Sequence, residues 1–170
     1  VILEVKDFPK PGILFRDITP ILQDKMALYK MSQDLDELCR EFEGIDKVVG
    51  IESRGFMLAP LVAVDLIAGF VPIRKVGKLP RECHREMCDG EYSREVLEIH
   101  KDSIASGEKV ILIDDVLATG GTALASVKLI EKCGGKVKAI VFLIELEYLE
   151  GRKKLEGYNV KSVYRYNNSV

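Results

Sequence analysis

The chain has 170 residues, a formal net charge of -2 and an apolar fraction of 47%. That length fits one domain with a real core, and the charge excludes the strongly basic footprint of a dedicated nucleic-acid binder. An anionic ligand must therefore be caught by a local cluster, not by the field of the whole molecule.

Residues 1–10 lack the apolar core of a signal peptide. The longest apolar run, residues 56–64, is cut by Asp65 and is too short to span a bilayer. A cytoplasmic protein with no membrane segment is expected.

In chain order, segment 7–20 holds three prolines and Gly12, which forbids a helix and predicts a laid-down loop. From Asp24, a candidate N-cap, apolar residues recur at Leu28, Met31, Leu35, Leu38, Cys39 and Phe42. That is helical spacing, stopped by Gly44. Segment 47–51 (KVVGI) is a short β-branched strand, and Glu52-Ser53-Arg54-Gly55 then turns into a second apolar helix reaching Ala68. Segment 70–75 reads as another strand. Segment 76–94 is polar, with little periodicity, and is longer than an ordinary connection; it is expected to be a lid loop. Strands follow at 96–100 and 110–113, then a helix over 122–133 closed by Gly134-Gly135. A fully apolar strand at 137–144 and a weaker one at 160–164 complete the series. Strands apolar throughout, alternating with helices, predict an α/β fold: a central, mostly parallel sheet flanked by helices. One domain is expected over residues 1–170.

Cys39 and Cys133 fall on apolar helical stripes and read as small core residues. Cys83, His84 and Cys88 sit close together and raise a zinc site. Their spacing is not that of paired metal-ligand knuckles and no second pair exists, so free thiols are the better reading. No protein-borne metal site is expected.

The stretch that carries chemistry is 110–122, VILIDDVLATGGT. In an open parallel sheet, ligands bind beyond the carboxyl ends of the strands. Here a strand runs into two acids, a Thr/Gly loop and a helix. Backbone N–H groups of Ala118, Thr119, Gly120, Gly121 and Thr122 can face a phosphate, aided by the helix N-terminus. The two threonines add hydroxyl donors. No Gly-Lys-Ser/Thr follows and the pattern is not GxGxxG, so neither a Walker loop nor a dinucleotide fold is indicated. Asp114 and Asp115 suit the cis-diol of a ribose that carries a terminal phosphate. The competing structural reading, a helix-capping Asp before an ordinary turn, is weakened by the whole string.

This string resembles the phosphoribosyl pyrophosphate (PRPP) motif of the type I phosphoribosyltransferases. The resemblance implies that Asp114 and Asp115 hold the ribose hydroxyls and that Ala118 to Thr122 hold the 5-phosphate. It also implies that family's fold, with a small N-terminal hood (residues 1–20) and a flexible active-site lid (residues 76–94). Segment 8–20, FPKPGILFRDITP, is similar to the N-terminal signature of the adenine branch. Read physically, a rigid Pro/Gly loop there can present Phe15 as a stacking face for a flat base. Backbone groups near Leu14 and Arg16 can read adenine's amino group and ring nitrogen. Phe15 as a core plug is the plainer alternative.

Ser53, Arg54 and Gly55, at a second strand-to-helix junction, can form another anion site, which the resemblance makes a pyrophosphate loop, with Arg54 contacting pyrophosphate or the base. Arg54 as a solvated surface residue is the competing reading. Arg74-Lys75-Val76-Gly77-Lys78 is locally basic, and Lys75 and Lys78 are candidates for the departing pyrophosphate. Glu91-Tyr92 and segment 97–102 (LEIHKD) match the adenine branch. There the resemblance implies Glu91 as the catalytic acid/base and Tyr92 as a lid residue. Segment 81–90 (RECHREMCDG) departs from the family pattern in its Cys, Met and charge content.

The implied reaction joins adenine to PRPP, giving AMP and pyrophosphate in purine salvage, with Mg²⁺ bound mainly through PRPP. A homodimer is implied as well. The alternatives are transfer to another purine base, or a non-catalytic PRPP-sensing regulator of the same fold.

Overall fold

Side chains along a strand alternate between the two faces of its sheet, so a continuously apolar strand is stable only when both faces are covered. The computed structural model describes residues 2–89 and 94–168. In chain order, β1 (Leu3–Lys6) and β2 (Leu14–Asp17) precede α1 (Thr19–Gln23) and α2 (Lys25–Cys39). Then come β3 (Lys47–Ile51), α3 (Gly55–Asp65), β4 (Gly69–Lys75), β5 (Cys83–Asp89) and β6 (Arg94–His100). The last part holds β7 (Lys109–Leu117), α4 (Gly121–Lys132), β8 (Lys136–Leu146) and β9 (Val160–Tyr166), with short 3-10 turns at Glu147–Leu149 and Gly151–Leu155.

Seven strands form one sheet in the order β5-β6-β4-β3-β7-β8-β9. From β4 to β9 the neighbours are parallel, with Val49 opposite both Val71 and Leu112, and Leu112 opposite Ile140. At the other edge β6 pairs antiparallel with β4 and β5. Alternation divides the apolar strands into two cores. Val49, Ile51, Leu112, Ile140 and Phe142 pack with α4 on one face. Val48, Ile111, Ile113, Val141 and Leu143 pack with α2 and α3 on the other. Burying each such side chain stabilises the fold by about 1.5–3 kcal/mol relative to exposure, which is why these strands contain almost no polar residue until the ligand edge.

Helix α2 begins where expected: the Asp24 carboxylate accepts from the N–H groups of Met26 and Ala27 at 2.9 and 2.8 Å. It ends at Cys39, so Phe42 reaches the second core from beyond the helix. No helix among the described residues is long and apolar enough to cross a membrane.

Three expectations need correction. Segment 7–20 is not simply a laid-down loop: β2 pairs antiparallel with β1, Phe15 opposite Val5, and Pro20 sits in the first turn of α1. Proline is tolerated there because its missing N–H has no intrahelical partner anyway. Segment 76–94 contains a strand, β5, in continuous register with β6 from Cys83–His100 to Asp89–Arg94. Its alternation is written in polar residues, which hid it. That alternation also places Cys83 on the opposite face from His84 and Cys88, against a shared zinc. Finally, β7 does not stop before the acids; it continues through Asp114 and Asp115 to Leu117, supported by β8 after β3 has ended.

Candidate active site

The site is built where β3 gives out. Its pairing with β7 ends at Gly50 opposite Ile113, so Asp114 and Asp115 project past the last shared rung. The backbone N–H of Asp115 donates to Asp114 Oδ1 at 3.0 Å. Gly55, at the start of α3, packs so closely that a Cβ there would lie 3.0 Å from the same oxygen. Burial, and then the neighbouring charge of Asp115, push the Asp114 carboxyl well above the usual carboxylate range. Asp115 is buried and ion-paired with Arg54.

After Leu117 the chain turns through Ala118 and Thr119 into α4. Gly120 is the N-cap residue, with φ of 80°, a conformation that favours glycine. No side chain caps this helix, so its first N–H groups are available to an anion. The glycines serve packing too. A Cβ on Gly120 would lie 2.4 Å from the Gly151 carbonyl, and one on Gly121 would lie 2.2 Å from that of Asp89. The loop is thus pressed between the turn after β8 and the end of β5.

At the end of β3, Glu52 gathers the cations of the neighbouring strand. Its carboxylate accepts from Arg74 Nε and Nη2 at 3.3 Å, from the Lys75 backbone N–H at 3.0 Å and from Lys78 Nζ at 3.1 Å. Burial pushes the Glu52 carboxyl up, but hydrogen bonds from Arg74, Lys75 and Lys78 outweigh it and hold its pKa at about 2. Lys75 Nζ itself bonds Glu95 at 2.9 Å. Ser53, joined to Glu52 by a cis peptide, is exposed.

The N-terminal hairpin closes the other side. The Arg54 guanidinium lies 5.2 Å from the centre of the Phe15 ring, and Phe8 meets that ring edge-on at 5.1 Å. Arg54 therefore links an aromatic face to Asp115. The Arg16 side chain is committed elsewhere: it is buried, paired with Glu4, and stacked 3.5 Å over the Tyr166 ring. That side chain is therefore not free to meet a base.

Phe15, Arg54, Gly55, Asp114, Asp115 and the glycine loop thus converge on one edge of the sheet, with Lys75 and Lys78 beside them around Glu52. Glu91 and Tyr92 lie outside the described residues. Sequence reasoning missed Glu52, whose three partners come from β4 and the turn after it, and Gly151, which is distant in sequence from the loop it supports. A lone acid at a strand end and a single glycine in a turn carry too little local signal to be found.

A parallel sheet whose carboxyl edge presents an acid pair beside a glycine-capped helix has the donors and acceptors that a phosphorylated sugar would need. Comparison with known proteins gives the family. Residues 17–168 match the phosphoribosyl transferase domain family. The adenine phosphoribosyltransferase of Christiangramia forsetii is 54% identical over 163 residues, covering 96% of this chain and 95% of the relative. Among solved structures, that of Rhodothermus marinus superposes with a TM-score of 0.91 at 48% identity, covering 97% and 94% of the two chains. The Saccharomyces cerevisiae enzyme, solved with adenine and an imino-altritol bisphosphate, gives 0.89 at 39% identity, covering 95% and 93%. The chain belongs to the phosphoribosyltransferase family and, within it, to the adenine phosphoribosyltransferases.

Proposed function

We propose that the protein transfers the 5-phosphoribosyl group of PRPP to N9 of adenine, releasing pyrophosphate and forming AMP. The observation that carries this reading is the Asp114-Asp115 pair projecting past β3, beside the uncapped start of α4. The carboxylates accept from the ribose hydroxyls, and the Ala118–Thr122 backbone receives the 5-phosphate. Ser53, Arg54 and Gly55, with Lys75 and Lys78 released from their carboxylates, face the leaving pyrophosphate. Phe15 stacks on the base, and the backbone of Leu14 and Arg16 reads its edge. Arg54 must exchange its bond to Asp115 for substrate as the ribose enters, so sugar binding frees a cation for the leaving group.

Among the described residues no three His, Cys, Asp or Glu side chains converge as a metal site. A Mg²⁺ would be held mainly by PRPP itself, beside Asp114 and Asp115, and would supply charge neutralisation for the leaving pyrophosphate. Glu91, by resemblance, takes up or relays the base proton, and Tyr92 helps to close the site against water. Glu91→Leu should cut kcat and leave adenine binding intact; unchanged turnover sinks that role. The reaction itself is tested by measuring AMP formed from adenine and PRPP, with and without Mg²⁺. Product from hypoxanthine but not from adenine would overturn the choice of base.

Two further readings rest on surface and thiols. Helix α3 is apolar up to Asp65, and beyond its buried side Met57 and Val64 are 42% and 76% exposed, with Ile67, just past the helix, 95% exposed. Such a helix is normally covered on both sides, which supports a homodimer through this face. Val64→Asp should shift sedimentation toward the monomer; an unchanged species counts against it. The four cysteines are unpaired, which fits a reducing cytoplasm.

A further inference from the structure

The turn after β8 approaches the phosphate loop backbone to backbone at Gly151. A Cβ on Gly151 would fall 2.2 Å from the Ala118 carbonyl oxygen and 3.0 Å from the Gly120 nitrogen. Gly120 is equally intolerant of a Cβ against the Gly151 carbonyl, at 2.4 Å. The two glycines therefore interlock, and the loop's position depends on where Gly151 is held.

What holds it is the next residue. Arg152 grips Glu145 with both ends of its fork, Nε to Oε1 at 2.8 Å and Nη2 to Oε2 at 2.6 Å. Its third donor, Nη1, bonds the Val160 carbonyl at 2.8 Å. Glu145 is only 3% exposed and also accepts from Ser162 Oγ at 2.6 Å. It sits opposite Leu117 of β7 and Arg165 of β9. Burial pushes its carboxyl up, but the bonds from Arg152 and Ser162 outweigh this and keep it below the usual range. The planar, bidentate geometry fixes direction as well as distance, which a lysine cannot reproduce.

We infer that Arg152 is a positioning residue for the 5-phosphate loop, acting through Gly151 and anchored by Glu145. The inference rests on the proposed role of Ala118–Thr122 as the phosphate cradle. Arg152 touches no substrate; it sets where the Gly120 and Gly121 N–H groups point. Small misplacements of such donors are costly in binding and rate.

Calorimetric titration separates this from general support of the fold. Ribose 5-phosphate probes the loop, and pyrophosphate, with Mg²⁺ present, probes the Ser53–Gly55 side. In Arg152→Met and Gly151→Ala, ribose 5-phosphate affinity should fall about tenfold or more, the size of one lost charge-assisted hydrogen bond. Pyrophosphate affinity should stay within about twofold of the parent. Arg152→Lys, the gentler change if Arg152→Met does not fold, should lie between the two. Equal loss of both ligands, or parent-like ribose 5-phosphate binding in a folded variant, overturns the inference. A parent that binds pyrophosphate but no ribose 5-phosphate overturns the phosphate-cradle reading first, and this inference with it.

Discussion

Two carboxylate sites lie on neighbouring strands, one just past the end of β3 and one within β7, and are treated in opposite ways. At the end of β3, Glu52 is surrounded by donors and held at a pKa of about 2. On β7, Asp114 is pushed well above the carboxylate range by burial and by Asp115. The first acid has all the partners it needs within the fold. The second is packed against a like charge, and Arg54, the cation nearby, is bonded to Asp115. Folding alone would not retain an acid pair so poorly compensated. The difference separates a carboxylate that organises the site from carboxylates that wait for a ligand's hydroxyls.

The largest effect is expected where that unmet charge is removed. Asp114→Asn should lower kcat/KM for PRPP by at least about a hundredfold, since charge-assisted hydrogen bonds of about 1.5–3 kcal/mol each are at stake. The same change should raise the thermal midpoint of the free protein. Because the folded carboxyl holds its proton above the unfolded value of 3.8, the parent loses stability as pH rises through that interval. The amide has no such loss. A variant that is both less active and less stable at neutral pH would break the comparison.

Glu52→Gln should do the reverse. With a folded pKa of about 2 against an ordinary value of 4.5, the charged form stabilises the fold at neutral pH. That contribution is complete above the ordinary value and is lost as pH falls toward the folded one. Urea denaturation should therefore find the variant weaker at about pH 7 and the gap narrowing by about pH 3. A gap independent of pH would mean that Glu52 acts through packing, not charge.

These two acids also mark what the sequence made legible. The segment from β7 into α4 could be read whole, because strand, acids, glycines and helix follow one another without interruption. The two cores were visible for the same reason, as runs with no polar residue. Glu52 was not visible, since Arg74, Lys75 and Lys78 meet it only after β3 and β4 pair. Strand β5 was concealed because its inward face carries His84, Glu86 and Cys88. Glu86 is satisfied there by Lys132 Nζ at 2.6 Å and Lys128 Nζ at 3.7 Å. Polar residues can line a helix-facing strand when the helix supplies the counter-charges. In the N-terminal segment, Pro9, Pro11 and Gly12 describe only the turn; the flanking residues pair as strands.

The smallest of the expected effects lies where no charge is involved, at Phe15. Its ring is bounded by Phe8 on one side and by the Arg54 guanidinium on another, so its position is set before any base arrives. Stacking of a base on an aromatic side chain contributes about 1–3 kcal/mol. Phe15→Ala should accordingly raise KM for adenine about tenfold and leave KM for PRPP nearly unchanged. Phe15→Leu separates the two sources of that energy. It keeps apolar bulk against Phe8, so it preserves the hairpin, but it offers no π-face to the base. If Leu restores adenine binding fully, Phe15 is a core plug and the base is held elsewhere. If Leu behaves like Ala, the aromatic face itself binds the base, and the site divides into a charged half that recognises the sugar phosphate and an uncharged half that selects its acceptor.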